Sequence, residues 1–377
     1  MTPIYLDNAA STRVSDEVIA LMTEVMRSAW GNPSAQHPQG AAARAYIEHA
    51  RGRMLGALGD RAGAGDIVWT SGCTEADALA VLGAARTRPG PVAITGIEHP
   101  AVAATVARLD GGARDVVQVA PDASGVIDPE AFAEAAANAG VAAVVMVQNE
   151  LGVVQPIAAI VAAVRRRNPA CFIHVDAAQA FGKVPVDAPA LGADSIAIAG
   201  HKLHGPKGTG ALWLRAGVAL EPLWVGGGQQ KGLRGGTQDA PGAAGLGLAA
   251  ERAVAALPSA RAKWLELAAG VEERLAARGV AFRRLVPDQR RAPHILALGF
   301  PGVPASALRT VLASRGVYIA TGSACADRDA KPSTVLAAIN LPSDTGMCRL
   351  SFGHDTTADE VAQATELVAT AATELAR

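Results

Sequence analysis

Lys202 stands just past an apolar run, Ser195-Ile196-Ala197-Ile198-Ala199, which shows no alternation and breaks at Gly200 before presenting His201 and Lys202. An ammonium at the mouth of a buried strand is costly unless something neutralises or uses it. Such a lysine, its pKa lowered, serves as an amine nucleophile or a base. Most lysines instead lay their stem on the surface and keep the charge in water, so Lys202 gains meaning from its companions. Thr74 follows the run Ile67–Thr70, Asn149 follows Val141–Val147, and Asp176 and Gln179 follow Phe172–Val175. In a doubly wound sheet, ligands gather beyond the carboxyl ends of the strands. Four such ends bearing reactive groups point to one site.

Ser71-Gly72-Cys73-Thr74 opens a helix, whose free N–H groups and positive dipole end suit a phosphate. Asp176 at a strand end can accept a proton-bearing ring nitrogen. Taken singly, each is equally an ordinary helix cap. Taken with the lysine they meet the needs of pyridoxal 5'-phosphate: an amine for an imine, an acid for the pyridine nitrogen, and a helix end for the phosphate.

The elements that must position these groups alternate. Strands are expected at 67–70, 92–95, 116–119, 141–147, 172–175 and 196–199, with helices at about 74–86, 100–109, 129–138 and 156–167. Unalternating apolar strands separated by helices predict an α/β fold with a mostly parallel sheet covered on both faces. Helices are also expected at 16–30 and 39–58, and from about Ala240 to Arg278 with an interruption near Pro258. Beyond lie strands near 282–285, 295–298, 317–319 and 348–352, and helices at 305–314 and 357–375. The pattern divides the chain into a large domain over 12–257 and a smaller α+β domain formed by 1–11 with 258–377.

A chain of 377 residues, half of them hydrophobic and 18% charged, can bury a sizeable core. A net charge of −1 gives no electrostatic case for nucleic acid or an anionic membrane. The four cysteines, at 73, 171, 325 and 348, show no disulfide framework, which fits a reducing, cytoplasmic compartment. No secretion signal or apolar run long enough for a membrane span is evident.

The chain resembles the cysteine desulfurases of the NifS and IscS type, within the class-V aminotransferase-like enzymes of pyridoxal-phosphate fold type I. The resemblance rests on Tyr5-Leu6-Asp7-Asn8-Ala9-Ala10, Gly31-Asn32-Pro33-Ser34, Thr70-Ser71-Gly72-Cys73-Thr74-Glu75, Glu98-His99 and Gln148-Asn149-Glu150-Leu151-Gly152. It continues through His174-Val175-Asp176-Ala177-Ala178-Gln179, Gly200-His201-Lys202, Arg234-Gly235-Gly236-Thr237 and Gly322-Ser323-Ala324-Cys325. It implies that Lys202 carries the cofactor and that His99 stacks on its ring and handles substrate protons. Asp176 then partners the pyridine nitrogen, Gln179 the ring oxygen, and Cys73, Thr74 and His201 the phosphate. Thr237 would reach the phosphate of a neighbouring subunit, implying a homodimer with shared sites. Asn149 and Arg349 would hold the substrate carboxylate, a task suited to a planar guanidinium.

By the same resemblance Cys325, in a loop of small residues, takes sulfur from L-cysteine as a persulfide, releases L-alanine and passes the sulfur to an acceptor protein, an iron–sulfur scaffold or another carrier. Cys171 and Cys348 lie in apolar strands and read as small buried hydrophobes. Two other readings share the scaffold: a selenocysteine or C–S lyase, and a non-catalytic binder of sulfur carriers. Three positions depart from the family. Ala199 lacks a hydroxyl on the phosphate, a bond worth about 1.5–3 kcal/mol. Cys73 replaces a small residue, and Ala78 replaces an asparagine.

Overall fold

A computed structural model of the chain describes residues 3–109, 114–322 and 333–376. Its strands are β1 (Ile4–Tyr5), β2 (Gly65–Thr70), β3 (Val92–Thr95), β4 (Val116–Val119), β5 (Val141–Val145), β6 (Phe172–Asp176), β7 (Ser195–Ala199), β8 (Gly210–Arg215), β9 (Arg283–Arg284), β10 (Ile295–Pro301), β11 (Val317–Tyr318) and β12 (Thr345–Ser351). The helices are α1 (Asp16–Ser28), α2 (Pro38–Ala57), α3 (Cys73–Thr87), α4 (Pro100–Ala107), α5 (Pro129–Ala135), α6 (Ile157–Arg167), α7 (Ala188–Leu191), α8 (Ala240–Ala277), α9 (Ala305–Ser314), α10 (Thr334–Ala338) and α11 (Ala358–Leu375).

Seven strands form one sheet in the order β2-β8-β7-β6-β5-β3-β4. The run from β7 to β4 is parallel. Strand β8 is antiparallel to both β7 and β2, so β2 recovers the direction of the parallel set. The end of β2 therefore opens on the same edge as the ends of β5, β6 and β7. Both faces are covered, which explains why these strands read as continuous apolar runs. Ile196 and Ile198 of β7 join a core with residues of α1, α2, α5, α6 and α8, while Ala197 between them packs with α3 and α4.

A second core collects Ile4 and Leu6 from one end of the chain and Trp264, Val271, Phe300, Leu308, Leu350 and Val368 from the other. It surrounds the antiparallel sheet β12-β10-β9 and the parallel pair β1–β11.

One expectation fails. The long helix is not interrupted near Pro258: α8 runs unbroken for 38 residues with Pro258 inside it. A proline removes one ladder hydrogen bond and crowds the preceding turn. Pro258 sits on the exposed side of the helix. The two halves of α8 are meanwhile held by different cores, Leu246 by the first and Trp264 by the second. Other helix starts are set by local caps: Asp128 caps α5 by accepting from the Ala131 N–H at 2.7 Å. A capping box between Thr357 and Glu360 starts α11.

Candidate active site

The edge where β2, β5, β6 and β7 end encloses a cavity of about 470 Å³. Nine of the eleven residues expected from the sequence line it: Cys73, Thr74, His99, Asn149, Asp176, Gln179, His201, Lys202 and Arg349. Thr237 does not; it is exposed beyond the glycine-rich loop of residues 226–236. Cys325 lies outside the described residues.

Each lining group is set by the element that delivers it. Lys202 follows β7 in a short turn of 3₁₀ helix, and its Nζ donates to the carbonyls of Ala9 and Ala10. Burial lowers its pKa to about 8, and the Arg349 guanidinium pushes the same way. His201 is lowered to about 4 by burial and then by Lys202, so it is neutral near pH 7. His99 caps α4 by accepting the Ala101 N–H on Nδ1 at 3.1 Å. Its neutral form therefore carries the proton on Nε2. Burial favours that neutral form. The preceding Glu98 pins this segment to the sheet by accepting from Thr95 and from the Val145 N–H.

Asp176 ends β6, where its Oδ1 accepts from the Ala178 N–H at 2.8 Å. Cys73 lies beneath it, with Sγ 3.6 Å from the same oxygen and 3.8 Å from Asp77 Oδ1. Burial and these two carboxylates push the Cys73 thiol well above its ordinary pKa. Cys73 is thus a protonated donor to Asp176. Behind this pair, Asp77 Oδ1 meets His174 Nε2 at 3.0 Å, and His174 Nδ1 meets Ser195 Oγ at 2.8 Å. Burial lowers His174 to about 3, so it stays neutral.

Arg349 reaches in from β12 and is 2% exposed. Its NH1 donates to the Asn149 carbonyl at 2.7 Å and its NH2 to Asp7 Oδ1 at 2.6 Å, while Nε has no partner among the described residues. Sequence reasoning assigned no role to Asp7. Its segment reads as a turn, and no local signal foretells a pairing across 342 positions.

These donors fit pyridoxal 5'-phosphate. The first turn of α3 has no side-chain cap, leaving its N–H groups for an anion. Gly210 permits β8 to pass under that turn, since a Cβ there would lie 2.5 Å from the Gly72 carbonyl carbon. A buried acid and an amine shifted toward neutrality lie in the same cavity. Ala199, which offers no hydroxyl, lines the same cavity beside Thr74 and His201.

Capture of pyridoxal phosphate by the cofactor-free protein should follow Lys202 deprotonation. The rate is expected to rise about tenfold per pH unit below pH 8 and level above it. Glu98 titrates in the same window, raised to about 8 by burial. The measurement is therefore mass spectrometry of borohydride-fixed cofactor on the Lys202 peptide. A rate still rising steeply beyond pH 9.5 would place Lys202 at its ordinary pKa.

The class-V aminotransferase family profile matches residues 4–363. The cysteine desulfurase of Cereibacter sphaeroides is 36% identical over 375 residues, covering 98% of this chain and 95% of that protein. Among solved structures, a NifS-like protein superposes with a TM-score of 0.91 at 30% identity, covering 99% of this chain and 100% of its own. SspA in complex with cysteine matches with a TM-score of 0.80 at 33% identity, covering 92% of this chain and 98% of its own. With a fold-type-I sheet, a strand-end lysine in its cavity and relatives matching along almost its whole length, the chain belongs to the class-V aminotransferase family, among the cysteine desulfurases of the NifS and IscS type.

Proposed function

We propose that this chain is a cysteine desulfurase, converting L-cysteine to L-alanine and carrying the removed sulfur as a persulfide on Cys325. Pyridoxal phosphate, the cofactor of the family, supplies when bound an electron sink for the substrate's α-carbon. Lys202 moves the α-proton, an amine near neutrality at working pH being suited to that exchange. His99 lines the cavity with Nδ1 engaged by the Ala101 N–H, so its Nε2 would be the atom that manages the proton of the substrate thiol. The Cys325 thiolate attacks the substrate sulfur. A sulfur–sulfur bond forms as the carbon–sulfur bond breaks, and the electron pair stays with the carbon skeleton, which gains a proton and leaves as L-alanine. No external oxidant or reductant is needed. Transfer onward is displacement at sulfur by an acceptor thiol.

The carrying observation is that Lys202, Asp176 and the uncapped start of α3 share one cavity with Arg349, whose Nε has no partner among the described residues. An unpartnered, nearly buried guanidinium nitrogen suits a substrate carboxylate, with Asn149 alongside. Asp176 holds the ring nitrogen, Gln179 the ring oxygen, and Thr74, His201 and the Cys73 N–H the phosphate. In a homodimer, Thr237 of each subunit would reach its neighbour's phosphate. Its exposure supports this, as do Trp224 and Val225 on the approach to the same loop, 53% and 85% exposed. The sulfur acceptor is a carrier or scaffold protein bearing a thiol. No helix among the described residues is long and apolar enough to cross a membrane. The described cysteines, Cys73, Cys171 and Cys348, are all free, which suits a reducing cytoplasm.

The test is product analysis of the loaded protein with L-cysteine. Alanine should appear in step with sulfur delivered to an added thiol. Pyruvate and ammonia would instead identify an eliminating lyase, and no product would leave a binding scaffold.

A further inference from the structure

Asp7 stands behind the cavity wall rather than on it, and the proposed chemistry gives it no part. It lies in the turn after β1, outside the large sheet, yet its carboxylate takes one nitrogen of Arg349 at 2.6 Å. The same turn holds Lys202 through the carbonyls of Ala9 and Ala10, and Gln179 Nε2 donates to Ala9 O at 2.7 Å. The turn is fastened by other atoms. Asn8 Nδ2 donates to the Ser351 carbonyl at 3.0 Å, and the Ala9 N–H donates to Ser351 Oγ at 2.9 Å. The Asp7 side chain is therefore not what builds the turn.

An arginine stem has several rotatable bonds, and the guanidinium at its end repels the nearby Lys202 ammonium. Two cations in a shielded cavity move apart unless an anion holds one of them. Asp7 supplies that anion. With the Asn149 carbonyl it occupies NH1 and NH2 and leaves Nε–H unclaimed among the described residues. A guanidinium held at two corners presents its remaining donors in a fixed plane, the geometry that recognises a carboxylate by two bonds.

Resting on the assignment of Arg349 to the substrate carboxylate, we propose that Asp7 is a positioning residue that sets the preference for substrates bearing an α-carboxylate, by fixing the Arg349 guanidinium with its Nε edge free. Asp7 touches neither substrate nor cofactor in this role. It acts on the carboxylate through Arg349; its charge also favours the Lys202 ammonium, an effect common to every amine ligand, so the loss beyond that common effect should fall on ligands with a carboxylate. If Asp7 merely filled the place of the substrate, its removal would tighten their binding.

The test uses the cofactor-loaded protein and two amines, L-alanine and ethylamine, which differ in the carboxylate. Their dissociation constants are read from the change in cofactor absorbance. Wild type should bind L-alanine far more tightly than ethylamine. In Asp7→Asn the L-alanine affinity should fall about tenfold or more relative to that for ethylamine, the size of a lost charge-assisted contact, any change shared by the two amines reporting Lys202. For L-cysteine, KM should rise while kcat stays within about twofold. Asp7→Glu, which keeps the charge, should retain the preference. Unchanged or improved L-alanine binding in Asp7→Asn overturns the proposal, as does an equal loss for both amines. If Asp7→Asn does not fold, Asp7→Ser carries the same expectation. Failure of both to fold overturns it in favour of a purely structural role. A wild type that does not distinguish the two amines instead defeats the assignment of Arg349 itself, whatever Asp7 does.

Discussion

Lys202→Ala is expected to abolish turnover and to leave the protein unable to retain its cofactor covalently. Two functions disappear at once, because the same amine anchors the cofactor and moves the α-proton. Loss of the proton transfer alone costs about 10²–10⁴ in rate. Borohydride should fix no cofactor to the variant, and the yellow colour should wash out on gel filtration. Covalent label on another lysine, with turnover intact, would remove Lys202 from the centre of the site. The substitution should also act on the cofactor-free protein. The folded pKa of Lys202 is about 8, below its ordinary 10.5. The unfolded chain therefore binds more protons between these values, and wild-type stability rises with pH across that window. Below pH 8 the buried ammonium costs roughly 3 kcal/mol. The alanine variant should be more stable than wild type at pH 7 and show a smaller rise between pH 8 and 10.5, measured by denaturant unfolding; the part that remains belongs to Lys183, which burial lowers to about 7.

Cys325→Ser is expected to retain cofactor binding yet deliver no sulfur, a loss of at least about a hundredfold set by the missing nucleophile. The other thiols do not substitute. Burial raises both Cys171 and Cys348 to about 12, which leaves almost no thiolate at neutral pH. Cys73, raised well above its usual value beside two carboxylates, is no better. The measurement is labelled sulfur traced from L-cysteine to a peptide containing residue 325 and then to an added thiol. Full sulfur delivery by the serine variant would discard the persulfide step.

Cys73 shows how a departure from a family pattern acquires physical meaning. In the sequence it is only a thiol at the start of a helix. Folded, it donates to the Asp176 oxygen that also takes the Ala178 N–H. The line from Cys73 to Asp77, His174 and Ser195 joins three neighbouring elements, α3, β6 and β7. Neutral His174 couples Asp77 to Ser195, and burial with the carboxylates of Asp176 and Glu98 raises Asp77. Cys73 and Asp77 are an i,i+4 pair within α3, but the links from Cys73 to Asp176, from Asp77 to His174 and from His174 to Ser195 cross between elements, and none of those shows in local sequence.

The sequence by itself determined the alternation of strands and helices, the unalternating apolar runs of a doubly covered sheet, and the strand-end placement of Lys202, Asp176, Asn149 and Thr74. These properties are local: side-chain period, caps and turn residues act within a few positions of themselves. Only the tertiary structure decided that β2 regains the parallel direction through β8, so that α3 opens on the same edge as Lys202. It alone brought Asp7 to Arg349, left Nε free, and carried α8 through Pro258 on two separate cores. Those outcomes depend on which distant groups meet when water is excluded, and neither the period nor the composition of any one segment encodes its partner.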